Sequence, residues 1–120
     1  MRFAELWLSL QIEKIDMDKM VIESIKQSLL LNLPSGSHAL LYGSRARGDA
    51  RPDSDWDILI ILDKEKLTPE DYDRISYPLT VLGWEMGEYI NPIIYTSEEW
   101  KQYRITPFYH NVMNDAIPLA

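Results

Sequence analysis

Cysteine is absent from the 120 residues, which excludes disulfide frameworks and thiolate metal sites. Histidine is scarce too. His38 and His110 stand far apart with no paired ligand spacing, so each reads as a structural or exposed residue. Positive charge is in deficit: 12 Lys and Arg face 19 Asp and Glu, a net charge of −7. That argues against general nucleic-acid binding, which needs a basic face. It leaves a nucleotide site open, because Mg²⁺ supplies the positive charge that phosphates require. No apolar run approaches the roughly 20 residues that span a bilayer. The start "MRFAELWLSL" has neither a long apolar core nor a small-residue cleavage site, so no signal peptide is read. A cytoplasmic location is the default expectation. Repeats and low-complexity linkers are also missing, and the length implies one domain over residues 1–120 with one hydrophobic core.

What is present is a succession of short periodic segments. "IDMDKMVIESIKQSLLLNLPSG" reads as a helix, with Ile22, Ile25, Leu29 and Leu30 at three- and four-residue spacing. Asp16 or Asp18 caps its start, and Asn32, Pro34 and Gly36 end it. Residues 1–15 fit two patterns: Leu6, Leu8, Leu10 and Ile12 alternate like a strand, while Phe3, Leu6, Trp7 and Leu10 fit a helix. We read a helix. "SHALLYGS" and "DWDILIILD" are strands, and the continuous apolar run Ile58 to Leu62 suits a central strand covered on both faces. "LTPEDYDRISYPLTVLGWEMG" opens with Thr68 as N-cap and Pro69 in the first turn, and Pro78 is expected to kink or end it near residue 77. "EYINPIIYT" is a third strand, with Pro92 pointing to an edge or a bulge. Ser97 is expected to cap a short helix, and Thr106 with Pro107 opens a last one through "TPFYHNVMNDAI". The order α-β-β-α-β-α-α predicts a small mixed α/β fold: a sheet of residues 38–42, 56–62 and 88–95 with helices packed on it.

The chemistry concentrates in "YGSRARGDARPDSDWDILIIL", residues 42–62. Gly43 stops a strand and lets backbone approach a ligand closely. Ser44 offers a hydroxyl, and the N–H groups of a following helical turn can cradle a phosphate. Arg45 and Arg47 add candidate phosphate contacts, whereas Arg51 and Asp53 are expected to pair with each other at the surface. Asp55 and Asp57 sit two apart, so on a strand they project to one side, with Trp56 packing on the other. Two like charges so placed repel unless a cation lies between them, and a divalent metal resolves the conflict. An EF-hand loop starting at Asp53 fails, because its sixth and twelfth positions are Ile58 and Lys64. A Walker A loop fails for lack of Gly-Lys-Ser/Thr.

Gly43-Ser44, ten residues, then Asp55-x-Asp57 resembles the DNA polymerase beta-like nucleotidyltransferase superfamily. The string "GSRARGDARPDSDWDILI" is similar to its small prokaryotic branch, the minimal nucleotidyltransferases, which resemble antitoxins paired with HEPN-domain ribonuclease toxins. The resemblance implies that Gly43 and Ser44 bind the triphosphate tail. It implies that Asp55 and Asp57 hold Mg²⁺ or Mn²⁺, and that a nucleoside monophosphate, commonly from ATP, passes to an acceptor hydroxyl. Arg47, from its charge, is a candidate to steady the leaving pyrophosphate.

The family usually places a third carboxylate on the third strand. Here Asn91 and Ile93 occupy that stretch, and neither is an anionic ligand. Glu88 is the remaining candidate for a third metal ligand, with a solvent-facing strand start as its alternative role. Two functions follow: a metal-dependent nucleotidyltransferase acting on a protein partner such as a HEPN toxin, or a nucleotidyltransferase-fold antitoxin or complex subunit that acts by contact alone. Antibiotic modification fits less well, because those enzymes carry further domains that hold the acceptor. Trp84, Trp100, Tyr103, Phe108 and Tyr109 make the last third aromatic; packing of the final helices on the sheet accounts for most of them, and a partner surface for the remainder.

Overall fold

The computed structural model describes residues 2–120. Phe3–Asn32 forms one unbroken helix, α1. Residues 3–15 are therefore helical as read, but Asp16 and Asp18 cap nothing. No Gly or Pro interrupts residues 3–32, so the hydrogen-bond ladder runs through both aspartates. The helix stops at Leu33, whose N–H donates to the Leu29 carbonyl at 2.8 Å. Pro34 follows, and the residue before a proline avoids the helical region. Only the C-terminal half of α1 buries a stripe: Val21, Ile25 and Leu29. Leu30, expected within that stripe, is 82 % exposed.

The remaining elements are β1 (His38–Tyr42), α2 (Ser44–Arg47), β2 (Trp56–Leu62), α3 (Pro69–Asp71), a π-helical turn (Tyr72–Ser76), α4 (Tyr77–Met86), β3 (Ile90–Thr96), α5 (Ser97–Gln102), a 3₁₀ turn (Tyr103–Ile105), α6 (Pro107–Asp115) and β4 (Ile117–Pro118). The sheet order is β3-β2-β1-β4. β2 and β3 run parallel, and β1 is antiparallel to both β2 and β4. The fold is thus the expected mixed α/β arrangement. β4 went unread because two residues carry no periodicity; the last helix ends at Asp115 rather than running through Ile117.

Two prolines behave according to their missing N–H groups. Pro92 lies on the edge strand β3, and the β2–β3 ladder keeps one register from Trp56↔Ile90 to Leu62↔Thr96, without a bulge. Pro78 does not end its helix. The π-helical turn stands directly before it, with the Tyr77 N–H donating to the Tyr72 carbonyl. That wider turn relieves the crowding between the proline ring and the preceding turn. One cap moves by a residue: Thr96, not Ser97, caps α5. Its Oγ1 accepts from the Glu99 N–H at 3.1 Å, and Glu99 Oε1 accepts from the Thr96 N–H at 3.0 Å. Thr106 caps α6 as read, accepting from the Tyr109 N–H.

Alternation along β2 builds two cores. Trp56, Ile58, Ile60 and Leu62 face α1 and α4, where Val21, Ile25, Leu29, Ile75 and Leu79 cover them. Leu59 faces the other way, into Trp100 and Val112 of α5 and α6, with Phe108 and Tyr109 packed alongside. β2 is therefore covered on both faces, with Ile58, Leu59 and Ile60 fully buried. Trp100 stacks near Tyr95 and meets Phe108 edge-on, so most C-terminal aromatics are core. Trp84 is not: it is exposed on α4 beside Tyr77.

The turn into α3 depends on Asp71, which is buried. Its carboxylate accepts from the Thr68 N–H at 2.7 Å and from Lys64 Nζ at 2.8 Å. Burial opposes its ionisation, but Lys64 and the Thr68 N–H outweigh that and hold its pKa below the ordinary value. Asp71→Ala should cost about 2 kcal/mol in urea unfolding at pH 7. A depressed carboxylate stabilises fully above its unfolded-state value of 3.8, and the contribution is lost as pH falls through the folded pKa. The gap between wild type and variant should therefore close below about pH 3.8.

Candidate active site

The same alternation that buries Trp56 turns Asp57 towards the α6 side, at the C-terminal end of β1 and the N-terminal end of β2. Across the sheet Asp57 pairs with Tyr42 on β1 and with Asn91 on β3. Asp55 stands just outside the strand, and its charge acts on Asp57. Gly43 follows Tyr42 with φ 74° and ψ −159°, a conformation that L side chains rarely adopt. A Cβ added there would lie 2.5 Å from Asp57 Oδ2, so the carboxylate rests directly on the bare face of the glycine. Ser44 then opens the short α2, whose first N–H groups have no carbonyl behind them in the helical ladder. Structure thus brings Gly43, Ser44, Asp55 and Asp57 to one end of the sheet.

Burial raises the pKa of Asp57; the Asn91 hydrogen bond opposes this, Asp55 adds to it and Arg47 opposes it, and the result is upward. Tyr42, next to it, is pushed up to about 12 by burial first and then by Asp57 and Tyr95, so its hydroxyl stays protonated at neutral pH. Two carboxylates of this kind fit one divalent ion that takes its other ligands from substrate phosphates and water. Among the described residues, no group of three His, Cys, Asp or Glu side chains is placed to hold a metal.

Glu88 is not brought to the pair. Its Oε2 accepts from Trp56 Nε1 at 3.1 Å and lies 3.7 Å from Arg45 Nη2, on the Trp56 side of β2. The place beside Asp57 is taken by Asn91, whose Nδ2 donates to Asp57 Oδ1 at 3.4 Å. Arg47, the candidate for pyrophosphate, makes two ion pairs: Nε with Asp49 at 3.2 Å and Nη1 with Asp115 at 2.9 Å, tying α2 to the end of α6. No ion pair joins Arg51 to Asp53 among the described residues; the Arg51 N–H instead donates to Ser54 Oγ at 2.8 Å.

Arg45 was expected at a phosphate and is buried instead, with its side chain 4 % exposed. Its guanidinium stacks 4.4 Å from the Trp56 ring centre. Nη2 donates to the carbonyls of Pro52 and Ser54 at 3.3 and 3.1 Å, and Nη1 reaches Asp18 on α1 at 3.5 Å. Arg45 thereby clamps the loop that delivers Asp55 onto the strand that carries Asp57. Sequence spacing gave no sign of Asp18 or Asp115, which lie 27 and 68 residues from their arginines.

Residues 18–110 match the family described as nucleotidyltransferase domain. The chain belongs to that family. No curated protein matches it. Among solved structures it is similar to one described as a toxin-antitoxin with AMP-PNP, at 18 % identity and a TM-score of 0.56 over 82 % of this chain and 72 % of that one. At that identity the likeness is one of fold. The nucleotidyltransferase family match covers the Gly43-Ser44 turn, Asp55 and Asp57 as well as Asn91 and Glu88.

Removing Arg45 leaves the Glu88 carboxylate without its cation in a mostly buried site. Arg45→Ala should cost about 3 kcal/mol, read by urea unfolding, while Glu88→Gln, which keeps an acceptor for Trp56, should cost less. Asp57 acts in the opposite sense. Its folded pKa is raised, so its ionised form destabilises the metal-free fold at neutral pH, and the penalty disappears as pH falls through the folded pKa. Asp57→Asn should raise the melting temperature of the metal-free protein at pH 7 and lose that advantage below about pH 3.8, the unfolded-state value.

Proposed function

We propose that this protein binds ATP with Mg²⁺ or Mn²⁺ at Asp55, Asp57 and the Gly43-Ser44 turn, and transfers AMP to a hydroxyl on a partner protein of the HEPN toxin type: the hydroxyl oxygen bonds the α-phosphorus, the α–β phosphoanhydride bond breaks, and pyrophosphate leaves. The carrying observation is the Asp57 carboxylate seated against Gly43, which joins the metal pair to the phosphate turn in one site. The toxin-antitoxin description of a protein of similar fold supports a protein partner, and its AMP-PNP supports an adenine nucleotide. Bound metal would neutralise phosphate charge and favour ionisation of the acceptor hydroxyl. The chain's own part is placement. Asp55 and Asp57 fix the metal's position, the turn at Gly43 and Ser44 lets phosphate oxygens approach backbone, and Arg45 holds the Asp55 loop in register. An adenine-nucleotide substrate agrees with a cytoplasmic setting.

Asn91 favours a second reading, in which the chain holds nucleotide and partner but transfers little. A neutral amide beside Asp57 satisfies that carboxylate without adding the negative charge that a second divalent ion needs. Label from ATP separates the two. With Mg²⁺, labelled ATP and the protein encoded by the neighbouring gene, the first reading expects label on that protein, lost in Asp57→Asn. Nucleotide binding by calorimetry should fall at least tenfold in both Asp55→Asn and Asp57→Asn. On the second reading, wild type binds ATP without moving label, and Asn91→Asp gains transfer by tenfold or more. Unchanged ATP binding in both aspartate variants overturns the site.

A further inference from the structure

α1 reaches well beyond the body. Thirty residues span about 45 Å, and the molecule measures 58 × 30 × 19 Å. Its radius of gyration is 16.1 Å, against about 14 Å for a compact chain of this length. The first half of α1 is a projecting arm, and it is apolar where nothing covers it. Phe3, Trp7 and Leu10 extend the line of Val21 and Ile25, which is buried in the body; Leu8, Ile12 and Ile15 form a second line on another side. Phe3 is 84 % exposed and Trp7 59 %. With Leu6, Met17 and Met20, the arm presents on the order of 1,000 Å² of apolar side chain. Summed over both lines, that matches one side of a standard interface.

Between the two lines runs a polar strip of Glu5, Ser9, Glu13 and Asp16. Where the arm leaves the body, a cleft of about 320 Å³ is walled by Glu13, Asp18 and Glu88 on the acidic side and by Lys14 and Arg45. Two apolar lines cannot both be covered by one neighbouring helix, because a two-helix seam covers a single stripe. A groove between two helices covers both. Charge selects among occupants. The rim is acidic and the chain carries −7, so a second copy meets like charge, and an anionic membrane surface is repelled.

We propose that the arm of α1 is the docking element for a basic protein partner, seated in a groove between that partner's helices, with partner Lys or Arg side chains against the exposed Glu5–Glu13–Asp16 strip. It rests on the antitoxin reading above and adds to it where the partner is held. The protein encoded by the neighbouring gene is the probe. Wild type, Leu6→Glu/Leu10→Glu and the control Leu30→Glu, altered at an exposed leucine outside the arm, are each co-purified with it and titrated against it at 0.15 M and 1 M NaCl. ATP binding by each variant checks the fold. The arm variant should lose at least a hundredfold in partner affinity with ATP binding unchanged, and Leu30→Glu should bind as wild type. Salt should weaken the wild-type complex, and hydrogen exchange in residues 3–20 should slow on complex formation. Normal partner binding by the arm variant overturns the docking site and leaves the partnership standing. Failure of wild type to bind overturns both. A wild-type dimer in light scattering that the arm variant abolishes, or arm-dependent binding to phosphatidylserine vesicles, assigns the arm to another occupant and likewise overturns the proposal.

Discussion

The buried guanidinium of Arg45 is the constraint around which the site is arranged. A charge at 4 % side-chain exposure is tolerated only where enough partners replace its water. Arg45 finds them in four segments: Asp18 on α1, the carbonyls of Pro52 and Ser54, Glu88 before β3, and the Trp56 ring on β2. Among the described residues, its Nε has no partner. Because those segments converge on one side chain, the loop before Asp55 cannot drift relative to the strand bearing Asp57. The placement of Asp55 and Asp57 is set here by a residue on the other side of the strand.

The same node explains why Glu88 stands apart from Asp55 and Asp57. Its carboxylate balances Arg45 and accepts from Trp56, so turning it to the other side of β2 would strand a buried cation and an indole N–H together. Strand parity makes the separation firm. Trp56 and Asp57 are neighbours in sequence, yet their side chains stand on opposite faces, and Glu88 belongs with Trp56. Asn91 belongs with Asp57, through the parallel register of β2 and β3. A regular pleat thus divides the acidic groups between the Arg45 side of the sheet and the Gly43 side.

Much of this was legible from residue order. β1 and β2 follow from apolar runs bounded by His38 and Gly43 and by Asp55 and Asp63; both strands lie where those punctuators put them. The inward side of Trp56 follows from its place between two aspartates. Asn91 stood out as a neutral residue where a carboxylate was sought. What could not be read depends on contacts distant in sequence or on what an element lacks. Arg45 looked like a phosphate contact because arginine beside a glycine turn carries no mark of burial; its burial is decided by Trp56 and Glu88, 11 and 43 residues away. Asp16 and Asp18 looked like caps because they are good ones, but capping requires a chain that is not already helical on their N-terminal side. The apolar pattern before them keeps it helical.

Apolar periodicity of α1 carries a further consequence for how sequence encodes assembly. Within the body, the Val21–Ile25–Leu29 stripe is satisfied by β2 and α4. Towards the N-terminus the stripe continues and gains a second one, although the sheet that would cover it has ended. Helix propensity alone maintains an uncovered segment of that length only marginally in water, and most helical stability in proteins comes from packing of an apolar face. The arm is therefore written for surroundings that this chain does not supply. Asp18 stands at the junction, on α1 but bonded to Arg45, so an ion pair ties the base of the arm to the loop before Asp55. α1 and the Pro52 and Ser54 carbonyls share the same guanidinium, so the helix that bears the arm and the loop that leads to Asp55 are held by one side chain.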